Sequence, residues 1–241
     1  MSILGKNNPY GFSIPLLKTN EKKSNEKNNY EIKVAIIGNC SVGKSSLVQR
    51  VTSGSFNDKS SSTIGAAFCV FNHKTENNNY KYQMWDTAGQ ERFKSLVPVY
   101  LRGSNIVLIV FDLTSRSSFE DSIGHWHQEV LNNSPDAVKI LIGSKLDLKK
   151  NREVNKSEAI RFAKNNRMEY IECSAKTGEN ITEFKNLIIK TGIEEIKAYD
   201  IDTVLSNTTQ KDNIVRLTDE DPTLLDKFRS NCVNGYQCYG L

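Results

Sequence analysis

No stretch of the 241 residues is long and apolar enough to cross a bilayer. The longest uninterrupted apolar runs, Ala66 to Phe71 and Ile106 to Phe111, are six residues each, against about 20 for a spanning helix. The N-terminus carries no apolar segment followed by a small-residue cleavage site, so secretion is not expected. Charge of one sign is scarce too: Lys and Arg number 32 against 28 Asp and Glu, a net of +4 with no basic block. Nucleic acid is therefore not an expected partner. The five cysteines, Cys40, Cys69, Cys173, Cys232 and Cys238, show neither CxxC nor Cys/His zinc spacing and make no disulfide framework for a chain this long. A reducing, cytoplasmic setting fits that cysteine usage.

What is present divides the chain in three. Residues 1–29 hold five Lys and two Glu in a mostly polar stretch rich in Lys and Asn, which reads as a disordered extension. Residues 200–241 hold four basic and seven acidic side chains without sustained periodicity, which reads as a flexible acidic tail. Between them, residues 30–199 suit one domain. There, short β-rich runs alternate with amphipathic stretches, the pattern of β-α units in a parallel sheet. The runs predict strands at Glu31 to Ile37, Ala67 to Phe71, Tyr80 to Trp85, Asn105 to Phe111, Val138 to Ile142 and Glu169 to Glu172. Helices are expected at Lys44 to Thr52, Ser115 to Leu131, Lys156 to Asn165 and Ile181 to Tyr199. The run Asn77-Asn78-Asn79 looks like a hairpin turn, making the second and third strands antiparallel. The predicted fold is α/β, a mostly parallel six-stranded sheet with helices on both faces.

The first strand runs into Gly38-Asn39-Cys40-Ser41-Val42-Gly43-Lys44-Ser45, which opens a helix and has the phosphate-loop spacing G-x-x-x-x-G-K-[ST]. Glycines let backbone N–H groups turn inward around phosphate oxygens at a helix N-terminus, where the dipole favours negative charge. Phosphate contacts are assigned to Gly38, Ser41, Val42, Gly43, Lys44, Ser45 and Ser46. Lys44 would neutralise the β- and γ-phosphates, and the Ser45 hydroxyl would ligate Mg²⁺. The third strand ends in Trp85-Asp86-Thr87-Ala88-Gly89-Gln90-Glu91. Asp86 suits the metal's surroundings, the Gly89 N–H can meet a terminal phosphate, and Gln90 can hold a water in line with it as the catalytic group. Two more loops fall at strand carboxyl ends, Ser144-Lys145-Leu146-Asp147 and Ser174-Ala175-Lys176, where open α/β sheets bind ligands. An Asp147 carboxylate can accept two hydrogen bonds from the N1–H and amino group of guanine, a pair adenine lacks.

Five ordered motifs, GNCSVGKS, Thr63, WDTAGQE, SKLD and SAK, make residues 30–199 resemble a small Ras-superfamily GTPase of the Rab family. The segment Ser62 to Phe68 is most similar to the early-endosome subfamily. The resemblance implies the P-loop NTPase fold of a small G-domain and slow GTP hydrolysis. It further implies that Thr63 closes over Mg²⁺ and the γ-phosphate, that Phe56 packs beside the base, and that Ala175 offers its N–H to guanine. Lys145, Ser174 and Lys176 complete the guanine loops, and Phe68, Trp85 and Tyr100 correspond to the aromatic patch that effectors read. Expected partners are GTP and GDP, an exchange factor, a GTPase-activating protein and effectors; a monomer is expected, peripheral on the cytosolic face of endosomal or other vesicle membranes. Segments Asp58 to Ala66 and Ala88 to Val97 would be the two switches.

Two positions depart from the family pattern. Ser144 stands where Rabs read Asn, and its shorter side chain is expected to reach fewer partners between base loop and phosphate loop. The end Cys238-Tyr239-Gly240-Leu241 has C-a-a-X length with a final Leu, which favours geranylgeranyl on Cys238, with an unmodified tail as the alternative. A non-hydrolysing scaffold with a weakened guanine site is the rival reading, and a P-loop ATPase a weaker one. His125 and His127 are expected to pack or face solvent, since residues two apart on a helix diverge, and Cys40 is expected to be a small filler.

Overall fold

The structure is a computed structural model that describes residues 27–58, 66–87 and 96–211, the last thirteen for their backbone alone. Six strands form one sheet: β1 (Asn28–Ile37), β2 (Ala66–Lys74), β3 (Asn78–Thr87), β4 (Ile106–Asp112), β5 (Val138–Ser144) and β6 (Glu169–Glu172), in the order β2-β3-β1-β4-β5-β6. Only β2 is antiparallel to its neighbour. The helices are α1 (Lys44–Ser53), α2 (Val97–Leu101), α3 (Arg116–Asp121), α4 (His127–Asn133), α5 (Lys156–Asn165) and α6 (Ile181–Lys211). A π-helical turn, Ser122–Trp126, joins α3 to α4.

Alternation along the central strands builds a core on each face. Ile32, Val34 and Ile36 of β1 pack with Leu47, Val48 and Val51 of α1 and with Phe184 and Ile188 of α6. Ala35 and Ile37 point the other way, to Leu101, Phe119, Trp126, Val130, Ala159 and Ala163. Strand β4, buried along its whole length, divides likewise: Ile106, Leu108 and Val110 serve the first core, Val107, Ile109 and Phe111 the second. Helix α6 lies close to the sheet because Gly192 has no side chain: a Cβ there would sit 2.7 Å from Tyr82 and 2.8 Å from Ile32. The Tyr82 hydroxyl reinforces this approach by donating to the Ile189 carbonyl at 2.8 Å.

Several boundaries differ from the sequence reading for physical reasons. The turn between β2 and β3 is Thr75 to Asn77, with Asn78 and Asn79 already paired as strand. Thr75 closes it, exchanging backbone and hydroxyl hydrogen bonds with Asn78. The expected helix from Ser115 to Leu131 starts on a Ser115 side-chain cap but breaks register at the π turn. Helix α6 continues past Tyr199 to Lys211, and α2 stands where no helix is expected from the sequence. Among the described residues, no helix is long and apolar enough to cross a membrane.

Candidate nucleotide site

The sheet is built outward in opposite directions from β1 and β4, which run parallel, and at such a switch in strand order an open α/β sheet leaves a crevice beyond its carboxyl ends. The phosphate-loop residues fill that position. Gly38 begins the loop at φ +140°, so close to β4 that a Cβ would lie 2.2 Å from the Val110 carbonyl oxygen; no other residue fits. Ser41 (φ 60°) and Gly43 (φ 96°) are also left-handed, and these turns deliver the chain to the first turn of α1.

Lys44, the first residue of α1, is 5% exposed. Its Nζ donates to the carbonyls of Gly38 at 2.8 Å and Asn39 at 2.7 Å, so the ammonium is folded back under the loop. Burial pushes its pKa down to about 8, with the negative charge of Asp86 pulling the other way. Asp86, 3% exposed, is fixed by register: β1 and β3 pair Ile36 with Asp86. Thr87 Oγ1 locks that strand end by donating to the Ile36 carbonyl at 2.7 Å. A buried cation, a buried carboxylate and the Ser45 hydroxyl in the first turn of α1 thus meet at one helix N-terminus.

The second loop cluster sits at the carboxyl ends of β5 and β6. Asp147 is half-buried, and one of its carboxylate oxygens accepts from Ser174 Oγ at 2.6 Å. Ser174 also accepts the Thr177 N–H, so its hydroxyl orients Asp147 and closes its own loop. The Lys145 ammonium pairs with Asp112 at 2.7 Å. Ser144 is 2% exposed. Its hydroxyl lies 2.5 Å from the Val42 carbonyl and 2.8 Å from the Phe111 carbonyl, so it does span base loop and phosphate loop. What a hydroxyl lacks is a second proton: it can donate to only one of the two carbonyls at a time.

Arg50, which no motif marks, joins the two loop clusters. From α1 it donates to the carbonyls of Ala175, Lys176 and Gly54, each at 2.7 Å. The half-buried Phe56 follows in the loop that Gly54 begins. Arg152 likewise escaped the sequence reading; it grips Glu172 through both terminal guanidinium nitrogens, at 2.9 and 2.7 Å, just before the Cys173 to Lys176 loop.

On the outer face, Phe68 of β2 and Trp85 of β3 are register partners, with ring centroids 5.0 Å apart, and Tyr100 of α2 lies 6.1 Å from Trp85. Phe68 is 51% exposed and the three belong to neither core. Cys40 is exposed, not a filler. His125 lies against Trp126, His127 meets Phe162 edge-on, and the described residues contain no His/Cys/Asp/Glu cluster fit for a metal. Thr63, Gly89, Gln90, Cys232 and Cys238, with most of both switch segments, lie outside the described residues.

A model of the Ras family matches residues 33–194. The chain is similar to the Ras-related protein Rab-5A of Dictyostelium discoideum, 41% identical over 161 residues that cover 66% of this chain and 80% of that one. It is 43% identical over 162 residues to the Ras-related protein Rab-18 of Caenorhabditis elegans, covering 66% and 79%. To the GTP-binding protein ypt3 of Schizosaccharomyces pombe it is 42% identical over 156 residues, covering 64% and 72%.

Proposed function

This chain belongs to the Ras family as a Rab-type small GTPase, and on that premise we propose how its own residues bind and turn over the nucleotide. It is a GTPase that binds guanine nucleotide and serves vesicle traffic. The observation that carries the reading is Lys44: a buried ammonium with a lowered pKa, held by carbonyls at a helix N-terminus beside a buried carboxylate. A triphosphate in this cradle adds its negative charge to that of Asp86 beside the ammonium.

In this reading the N–H groups from Ser41 to Ser46 surround the β-phosphate, and Lys44 reaches the β- and γ-oxygens. Ser45, Thr63 and Asp86 offer hard oxygen donors, the set Mg²⁺ prefers. When bound, Mg²⁺ neutralises charge developing between the β- and γ-phosphates. Gly89 meets the γ-phosphate, and Gln90 orients the attacking water. Asp147, aimed by Ser174, takes the two guanine donors, the Ala175 N–H meets the base oxygen, and Phe56 covers the ring. Thr63 and Gly89 bind only while the γ-phosphate is present, which makes their segments the switches. The domain spans residues 30–199. The Phe68, Trp85 and Tyr100 patch faces effectors, Cys238 carries a lipid, and an exchange factor and a GTPase-activating protein set the cycle on endosomal membranes.

Identifying the nucleotide that co-purifies with the protein tests this. GDP or GTP is expected from wild type and none from Lys44→Ala; an adenine nucleotide, or full occupancy of the variant, would overturn the assignment.

A further inference from the structure

Asn39 is a polar residue in an outward-facing loop, yet both ends of its side chain are engaged by one helical segment. Its Oδ1 accepts from the Trp126 indole Nε1 at 2.6 Å, and its Nδ2 donates to Asp121 Oδ2 at 2.6 Å. An indole N–H only donates and a carboxylate only accepts, so the amide has one permitted orientation. Its backbone carbonyl, with that of Gly38, holds the Lys44 ammonium.

The π turn makes this grip feasible. On an α-helix, residues five apart differ by about 140° around the axis and face nearly opposite sides. Where a turn widens to the i→i+5 pattern, residues five apart come closer around the axis, onto one side. Ser122–Trp126 is such a turn, and it brings Asp121 and Trp126 to the same loop residue. The segment is well anchored: Trp126 is 1% exposed within the second core. The buried Ser122 hydroxyl donates to the Ser118 carbonyl at 2.8 Å and lies 3.5 Å from the Val110 carbonyl, the group against which Gly38 packs.

We propose that Asp121 and Trp126 are positioning residues for the phosphate loop, clamping the Asn39 amide so that the carbonyls of Gly38 and Asn39 keep Lys44 aimed at the nucleotide phosphates. The inference rests on the phosphate-loop reading above. Loosening the clamp lets the loop relax and speeds nucleotide release, without touching the base loops.

The test is a double-mutant cycle on release of fluorescent GDP from the full-length protein, using Asn39→Ala, Asp121→Ala and the double variant. Asp121 is exposed, so its replacement by Ala leaves the core intact. Each single variant should release GDP about fivefold faster than wild type, and the double variant no faster than Asn39→Ala. Trp126→Phe should do likewise; should it fail to fold, the Asn39 and Asp121 cycle decides alone. The Trp126 indole N–H resonance, assigned through Trp85→Phe, should shift in Asn39→Ala, because that amide oxygen is its acceptor, and in Asp121→Ala, because the freed amide no longer holds one orientation. Release within twofold of wild type, additive effects in the double variant, or an unmoved indole resonance would overturn the clamp. Lys44→Ala, measured alongside, separates the two readings: normal GDP affinity in that variant removes the phosphate-loop reading and the clamp with it. Lost affinity there, with unaffected clamp variants, removes the clamp only.

Discussion

Burial destabilises Lys44 as a cation. Its pKa of about 8 against an ordinary 10.5 means that keeping the charge buried at neutral pH costs about 3 kcal/mol. Because the folded value lies below the unfolded one, this penalty is fully present below pH 8 and fades as pH rises towards 10.5, where the unfolded lysine also loses its proton. Phosphate oxygens return the pKa upward. GDP binding at pH 8 should therefore take up a fraction of a proton, about one half, and at pH 6.5 almost none from this group. Calorimetry in two buffers of different protonation enthalpy measures it, and equal uptake at both pH values would contradict the assignment. Ser144 makes a second residue-scale prediction. Its single proton is shared between Val42 and Phe111 carbonyls, and Ser144→Ala removes it. GDP release should rise about three- to tenfold, as expected for one buried hydrogen bond, with an unchanged circular dichroism spectrum. An unchanged release rate would show that the bridge between the loops carries no weight.

At the scale of elements, α6 packs closely on the sheet. Gly192→Ala would drive a methyl into Tyr82 and Ile32, and a well-packed core resists such additions by about 1–3 kcal/mol. A lower urea midpoint at constant m-value is the expected result; a stability equal to wild type would mean that α6 shifts outward freely. The strands were legible because their apolar runs lie between polar turns, as at Ile106 to Phe111. Their ends were less so: Asn28, Asn29, Asn78 and Asn79 pair as strand despite poor β propensity, because backbone register with neighbouring strands decides there. The π turn was invisible, since a template with 3.6 residues per turn has no place for one extra residue, and Gly124 gave no clear signal. The path of α6 beyond Tyr199 was missed because the acidic composition after residue 199 read as tail.

Across the whole molecule, the site was legible wherever function requires a fixed spacing along the chain. Gly38 to Ser45 carries such a spacing, and Asp86, Asp147 and Ser174 follow from falling at strand carboxyl ends. The supports were not legible, because Arg50 meets Ala175 across 125 residues and Trp126 meets Asn39 across 87; such pairs exist only once the sheet order is known. The sheet order also explains why the base loops and the phosphate loop act together: Ser144, Arg50 and the β1–β3 register tie them into one rigid floor. What a GTP switch adds to a floor that holds nucleotide is hydrolysis. The decisive measurement is single-turnover phosphate release from the wild-type protein loaded with radiolabelled GTP and Mg²⁺, beside Gln90→Leu. Wild type should release phosphate on the order of 10⁻⁴ to 10⁻² per second, with Gln90→Leu slower while binding equally well; bound GTP that stays intact for hours, or a rate that Gln90→Leu leaves unchanged, would contradict the account.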